Sequence, residues 1–256
     1  MATLTAAAAD TTRVRVGCLV FSVAYRNPGL LAKSITAIDH ISNGRAECGI
    51  GAGWNEPEYR AFGYEFPDVK TREDQLEEYA QALRLLFDEP FADFAGTHYT
   101  LRHAANNPRP LQSRLPLWIG GAGEKRTLRT AARFADGWNA PYLAPAEWSR
   151  KNEVLDRWCD DVGRDGSAIA RTINVGFYMG ADDKGAVRAE ERYQREWGAD
   201  TRGFTGFLRG TPSRAAAVVN EYREAGVERL NIAVRGSPYD WDALAAFAEK
   251  VVPEVR

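Results

Sequence analysis

Cysteine is scarce in this chain of 256 residues: Cys18, Cys48 and Cys159 are odd in number and far apart. That excludes a disulfide framework and a C-x-x-C redox or zinc pair, and leaves buried thiols as the simple reading. Histidine is as rare. None of His40, His98 and His103 has a second histidine at i+4, so no protein-ligated metal is expected. Charge of one sign is missing too: 33 basic and 35 acidic residues are interspersed for a net −2, with no basic block or stripe, which argues against a nucleic-acid partner. No segment approaches the roughly 18 apolar residues of a membrane span, and Met1–Asp10 lacks the basic start of a secretory leader. A cytoplasmic protein without a membrane partner is the expectation.

What is present is an ordinary globular composition, 45% hydrophobic, with apolar runs of strand length alternating with helical patterns. Residues 14 to 21 read as a strand. Asn27-Pro28 then starts a helix, with Leu31, Ile35 and Ile38 on one face and Asn43-Gly44 as its stop. A second strand, 45 to 50, runs into Gly51-Ala-Gly-Trp54. Thr71-Arg-Glu-Asp74 resembles a capping box ahead of a helix whose Leu76, Tyr79, Leu83 and Leu86 form a stripe, and whose Glu73, Asp74, Glu77 and Glu78 read as a solvated face. Residues 91 to 101 suggest a hairpin, and 106 to 116 a connector. The alternation resumes with strand 117 to 120, helix 124 to 135, strand 137 to 139, helix 146 to 162 and strand 171 to 178. A charged helix from about 185, a helix from Thr211-Pro212 to Gly226, strand 229 to 234 and helix 240 to 251 complete it. Strands separated by helices imply parallel pairing, hence an α/β fold in a single domain.

Two architectures fit that alternation, a closed (β/α)₈ barrel and an open doubly wound sheet. A Rossmann sheet places its glycine-rich turn after the first strand; here the glycine-rich ends follow strands in mid-chain, which favours the barrel. In either case chemistry sits at strand ends, which carry Phe21-Ser22, Ala52-Gly53-Trp54, Gly121-Ala122-Gly123, Asn139-Ala140, Tyr178-Met179 and Arg235. Acids and lysines are absent from that set, and no G-x-S-x-G elbow exists, so Schiff-base, carboxylate-pair and Ser-His-Asp chemistry all lack their groups. Such a site must borrow its reactive atoms from a cofactor. Gly120, Gly121 and Gly123 either let amides at a helix N-terminus approach an anion or form a tight packing turn. Lys125 and Arg126 add positive charge nearby or face solvent. Trp54 is either a core lid or the neighbour of a flat ring system. Arg26 and Arg235 are candidate anion contacts or ordinary surface arginines, and Glu56 and Glu58 candidate proton donors or solvated loop acids.

The segments Gly44 to Gly63 (GRAECGIGAGWNEPEYRAFG), Trp118 to Leu128 (WIGGAGEKRTL) and Ala135-Asp-Gly-Trp-Asn139, in this order and spacing, resemble the luciferase-like monooxygenase family. They are most similar to its deazaflavin (coenzyme F420)-dependent branch. The resemblance implies a TIM (β/α)₈-type barrel with the cofactor at its C-terminal mouth. It assigns the cofactor phosphate to Gly120, Gly121, Ala122 and Gly123, ring contacts to Ala52, Gly53 and Trp54, and a further contact to Asn139. It also implies a non-proline cis peptide behind the ring, which alignment on Asn27-Pro28 puts at Cys18–Leu19. The chain departs from the family by beginning near the second helix, without the first two barrel strands. It also carries Trp54 where sugar-phosphate dehydrogenases of the family have a glutamate. An open barrel edge would favour a homodimer. The implied activity is hydride transfer between F420 and a small organic substrate; an FMN-dependent monooxygenase fed by a reductase, or a non-catalytic flavin binder, are the alternatives.

Overall fold

The computed structural model describes residues 1–201, 203–235 and 239–255. By internal contacts the chain divides into two compact units, Met1–Trp138 with Val154–Ile169, and Asn139–Glu153 with Ala170–Arg256. The fold is α/β, as the alternation of patterns predicts.

In the first unit, β1 (Val16–Ser22), β2 (Ala46–Gly51) and β5 (Leu117–Gly120) pair in parallel, with Cys18 opposite Cys48, Cys48 opposite Leu117 and Ile50 opposite Ile119. Helix α2 (Pro28–Ile41) starts as its cap predicts: Asn27 Oδ1 accepts from the Gly29 amide at 2.8 Å, with Pro28 in the first turn. It stops where Asn43 and Gly44 turn left-handed, at φ of 53° and 81°. Its Leu31, Ile35 and Ile38 are buried against the sheet together with Cys48, Ile50, Leu117 and Ile119. Helix α4 (Val69–Asp88) buries the expected Leu76, Tyr79, Leu83 and Leu86. Its N-cap is Asp68, however, whose Oδ1 accepts from the Thr71 amide at 2.7 Å, so the helix begins at Val69 and no capping box forms at Thr71. The strands β3 (Ala92–Ala95) and β4 (Thr100–Ala104) form the expected hairpin.

Two helices of this unit lie outside the sequence reading. One is α1 (Ala2–Asp10), which owes its form to an alanine run; Arg45 fastens its end by donating to the carbonyls of Ala8 and Thr11 at 2.8 and 2.7 Å. The other is α3 (Glu56–Ala61), a short helix that matters for the site. Helix α5 (Thr127–Phe134) begins three residues later than the pattern suggests, leaving residues 121 to 126 as a loop.

Strand β6 (Gly137–Pro141) and helix α6 (Pro145–Asp161) follow. In the second unit the long β7 (Ala170–Met179) pairs in parallel with β8 (Phe207–Gly210), Gly176 opposite Phe207, and with β9 (Arg229–Ala233), Thr172 opposite Arg229. The strand β8 is missed by a sequence reading because four residues carry no usable period. Around these strands lie α7 (Asp183–Glu196), capped by Asp182, α8 (Pro212–Glu224), led by Thr211-Pro212, and α9 (Trp241–Ala246), capped by Asp240. Trp148, Ile173, Val175 and Leu208 are fully buried in this unit.

Candidate cofactor site

The first unit gathers the expected glycine-rich strand ends around one side chain, Val20. A non-proline cis peptide is present, but at Leu19–Val20, one bond beyond the Cys18–Leu19 position that counting from Asn27-Pro28 gives. The bond lies inside the stretch between Cys18 and Phe21 where the pairing of β1 with β2 slips, an irregularity of which a sequence carries no mark. The side chain of Val20 then lies where neighbouring strands have no Cβ. A Cβ on Gly51 or on Gly120 would come within 2.7 Å of a Val20 methyl, and one on Gly49 within 2.3 Å of the Cys18 carbonyl. These glycines therefore accommodate a half-buried apolar floor contributed by β1 across β2 and β5.

Beyond that floor, Gly53 turns left-handed at φ 82°, and a Cβ there would overlap the Tyr59 hydroxyl at 1.8 Å. Tyr59 comes from α3, is 1% exposed, and shares a 2.6 Å hydrogen bond with Ser22 Oγ at the end of β1, either oxygen serving as donor. Arg72 of α4 donates to the Gly53 carbonyl while its guanidinium lies 4.1 Å from the centre of the Phe66 ring. Trp54 is 58% exposed, which removes the core-lid reading. Strand-end reading names Ser22 but misses its partner Tyr59, which belongs to a short helix without periodic signal.

Between β5 and α5 the loop is held by its carbonyls. The buried indole of Trp138 donates to the Gly121 carbonyl at 2.7 Å, and that of Trp158 donates to the Glu124 carbonyl at the same distance. Gly121 has φ 131°, and a Cβ there would meet Thr127 Cγ2 at 2.9 Å; one on Gly123 would meet Thr127 Oγ1 at 2.6 Å. Both glycines thus permit the first residue of α5 to sit directly against the loop. Among the described residues the amides of Gly121, Ala122 and Gly123 donate to no protein acceptor. Carbonyls tied back and amides left over in a glycine-rich loop that leads into a helix are what an anion requires. Packing turn and anion cradle are therefore not exclusive here.

The acids of α4, expected to face solvent, instead dock α5. Thr127 Oγ1 donates to Glu73 at 2.8 Å, Arg126 pairs with Asp74, and Glu77 takes Arg129 at 2.6 Å and Arg133 as well. Glu78 reaches the other way and accepts from the amides of Thr97, His98 and Tyr99 at 2.8, 2.7 and 3.1 Å in the hairpin turn. Arg126 at the N-cap of α5 and Arg129 and Arg133 within it, spaced i, i+3 and i+7, match this acidic run, a complementarity visible in the sequence once the two helices are known to be neighbours. Arg126 is thereby spent on Asp74, and Lys125 is exposed. Burial pushes the Glu73 carboxyl above its ordinary value, against the opposing pull of Thr127 and Arg126.

In the second unit Asn139 is 3% exposed, and its Oδ1 accepts from Thr172 Oγ1 at 2.9 Å and from Asn231 Nδ2 at 3.1 Å. That oxygen is committed to cross-strand bonds within the unit. Arg235, two residues past β9, is exposed and lies beside Tyr142 and Trp197. In the first unit Arg26 sits over Phe21 at 5.3 Å, and Glu56 is an exposed partner of Arg60 at 2.6 Å.

A floor of Val20 between glycines and a loop with spare amides fit a flat ring system carrying a phosphate, the class of group the strand ends call for. The profile of the family described as luciferase-like monooxygenase matches residues 1–241. The chain belongs to that family. Among relatives, an uncharacterized protein of Mycobacterium tuberculosis (strain ATCC 25618 / H37Rv) is 36% identical over 135 residues, 53% of this chain and 47% of that one. The chain thus spans about half the length of the first curated relatives it matches. The F420-dependent glucose-6-phosphate dehydrogenase of Amycolatopsis mediterranei (strain U-32) is 27% identical over 283 residues, covering 100% of this chain and 84% of that enzyme. Among solved structures, an F420-dependent secondary alcohol dehydrogenase in complex with an F420-acetone adduct superposes with a TM-score of 0.87 at 19% identity, over 100% of this chain and 83% of that one. This last likeness shows the fold, α/β of the TIM-barrel type expected from the sequence.

Proposed function

We propose that this luciferase-like chain is an oxidoreductase that binds coenzyme F420 and acts on a small organic substrate. The observation that carries the reading is the loop of residues 121 to 126, in which the Gly121 and Glu124 carbonyls accept from two indoles while, among the described residues, the amides of Gly121, Ala122 and Gly123 donate to no protein acceptor. The F420-dependent relative that aligns over the whole chain supports the same choice.

When bound, the deazaflavin supplies two-electron hydride chemistry that no side chain here provides. The amides of Gly121, Ala122 and Gly123 would hold its phosphate, with the α5 dipole favouring the negative charge. Val20, Ala52 and Gly53 would hold the ring system, and the apolar floor excludes water from it. Trp138 and Trp158 fix the loop in the binding conformation before the ligand arrives, so ordering it costs little on binding. At the end of β1, the Ser22–Tyr59 pair holds a proton shared between two hydroxyls and orients the turn at Gly53.

The monooxygenase description of the family favours one second reading, an FMN enzyme supplied with reduced flavin by a partner reductase. Fluorescence titration separates the two. Tight quenching of F420 and weak binding of FMN support the deazaflavin reading; the reverse order, with oxygen consumption on adding reduced flavin, supports the other. Binding of either without turnover of any alcohol, aldehyde or enoate substrate marks a non-catalytic binder.

A further inference from the structure

The second unit carries an arginine prepared for an anion. At the end of β6, Tyr142 adopts a left-handed backbone at φ 51°, unusual for a bulky residue. Its backbone is pinned there from both sides: its amide donates to the Asn174 carbonyl at 2.8 Å, and its carbonyl accepts from the amides of Thr205 and Gly206 at 2.8 and 2.7 Å. Gly206 has to be glycine for this, because a Cβ would come 2.8 Å from the Tyr142 carbonyl carbon. The forced turn aims the Tyr142 ring at Arg235.

The guanidinium of Arg235 lies 5.5 Å from the Tyr142 ring centre and 5.1 Å from that of Trp197, and one of its nitrogens donates to the Tyr142 hydroxyl at 3.1 Å. Trp197 is itself fixed, its indole donating to the Tyr178 hydroxyl at 2.6 Å while that hydroxyl donates to Glu196. Phe204 and Phe207 back Tyr142 at 5.1 and 5.8 Å between ring centres. An arginine held by rings and one hydrogen bond loses little freedom when it binds something else, and the rings leave most of its N–H donors unused. Among the described residues no carboxylate pairs with it. The nearby Glu196 accepts from Tyr178 instead. Tyr142 and Arg235 come from the carboxyl ends of two different strands, where α/β folds of this kind place their ligands.

We propose that Arg235, framed by Tyr142 and Trp197, is an oxyanion subsite that takes a carboxylate or phosphate group of the bound organic ligand. The substrate class then narrows to organic acids or phosphate esters. This narrowing rests on the oxidoreductase reading above, whereas the subsite itself does not. Two ligands carry such an oxyanion, an acidic substrate and the tailed deazaflavin.

The test is a titration of the full chain, without cofactor, with benzoate and with inorganic phosphate at constant ionic strength, read by tryptophan fluorescence with chloride as the control. Wild type is expected to give a saturable change with at least one oxyanion and none with chloride. Arg235→Met is expected to weaken that binding by about tenfold or more, Arg235→Lys less, and Tyr142→Phe by roughly threefold, with unchanged melting temperatures. A wild type without saturable response, or equal affinity in wild type and Arg235→Met, overturns the proposal. Repeating the titration with F420 and with its tail-free chromophore present distinguishes the sources. Competition by the tailed form alone assigns the subsite to the coenzyme; undiminished benzoate or phosphate binding beside it assigns the subsite to the substrate. Failure of F420 to bind at all overturns the cofactor reading and leaves the cofactor-free result standing.

Discussion

The indole nitrogen of Trp138 lies 2.7 Å from the carbonyl oxygen of Gly121, fastening the start of the β5–α5 loop to the first residues of β6. Trp158 does the same for Glu124 from α6. Neither bond adds to the affinity of the loop for a ligand directly. Each removes a conformation in which carbonyl rather than amide groups face the anion.

Trp138→Phe keeps an aromatic ring in a buried position and deletes the donor. The loop then loses a hydrogen bond of about 1 kcal/mol, and cofactor affinity is expected to fall roughly fivefold. Trp158→Phe is expected to do the same, and the double variant to lose more than either alone. Isothermal calorimetry with F420 on variants of matched melting temperature checks this; affinities equal to wild type would show that the indoles only fill space.

Gly121→Ala meets two obstacles, a φ of 131° and a 2.9 Å contact with Thr127 Cγ2. The expected cost is about 1–3 kcal/mol in stability, with loss of cofactor binding. Thr127→Ser removes the methyl while keeping the hydroxyl that Glu73 accepts from. The double variant Gly121→Ala/Thr127→Ser should therefore recover part of the stability in urea melts. No recovery would mean that backbone strain alone makes Gly121 necessary.

Glu73 lies behind the loop, and burial raises its carboxyl above the ordinary value. Between the ordinary and the raised value the folded chain keeps a proton that the unfolded chain releases, so this group's contribution to stability falls as pH rises through that window. Its ionised form also opposes an anion at Gly123. Glu73→Gln is expected to tighten F420 binding about twofold to fivefold at neutral pH and to remove the part of its pH dependence that comes from this raised carboxyl. The hydrogen bond from Thr127 survives the change. A variant with the wild-type pH profile would contradict the assignment.

Glu78 behaves oppositely. Although desolvation alone would raise its carboxyl, the three hairpin amides hold it below the ordinary value. Its stabilisation is present above the unfolded-state value and is lost as pH falls through the lowered one. Replacing it with glutamine should cost about 1–2 kcal/mol at pH 7, with a smaller difference from wild type at pH 3. Urea melts at both pH values measure it.

Much of this arrangement was legible in the sequence because local chemistry set it. Asn27-Pro28 started α2, Asn43-Gly44 ended it, and the stripe of α4 marked its buried face. What could not be read was set by tertiary geometry. The cis bond lies at Leu19–Val20, inside an irregular stretch of β1, and the acids at 73 to 78 dock α5, a neighbour that their own helical pattern does not reveal. The glycines at 49, 51 and 120 announced a close approach but not that Val20 makes it. Tyr59 and Tyr142 were hidden for different reasons, one on a short helix and one in a backbone conformation that its residue type disfavours.

The central claim, that the amides of Gly121 to Gly123 grip a phosphate, is tested most directly by a two-by-two comparison of affinities. F420 and its phosphate-free chromophore are titrated against wild type and Gly121→Ala. The account predicts that removing the phosphate weakens binding to wild type by about a hundredfold or more, and that the variant binds both ligands with nearly the same low affinity. Equal affinity of wild type for the two ligands would contradict it.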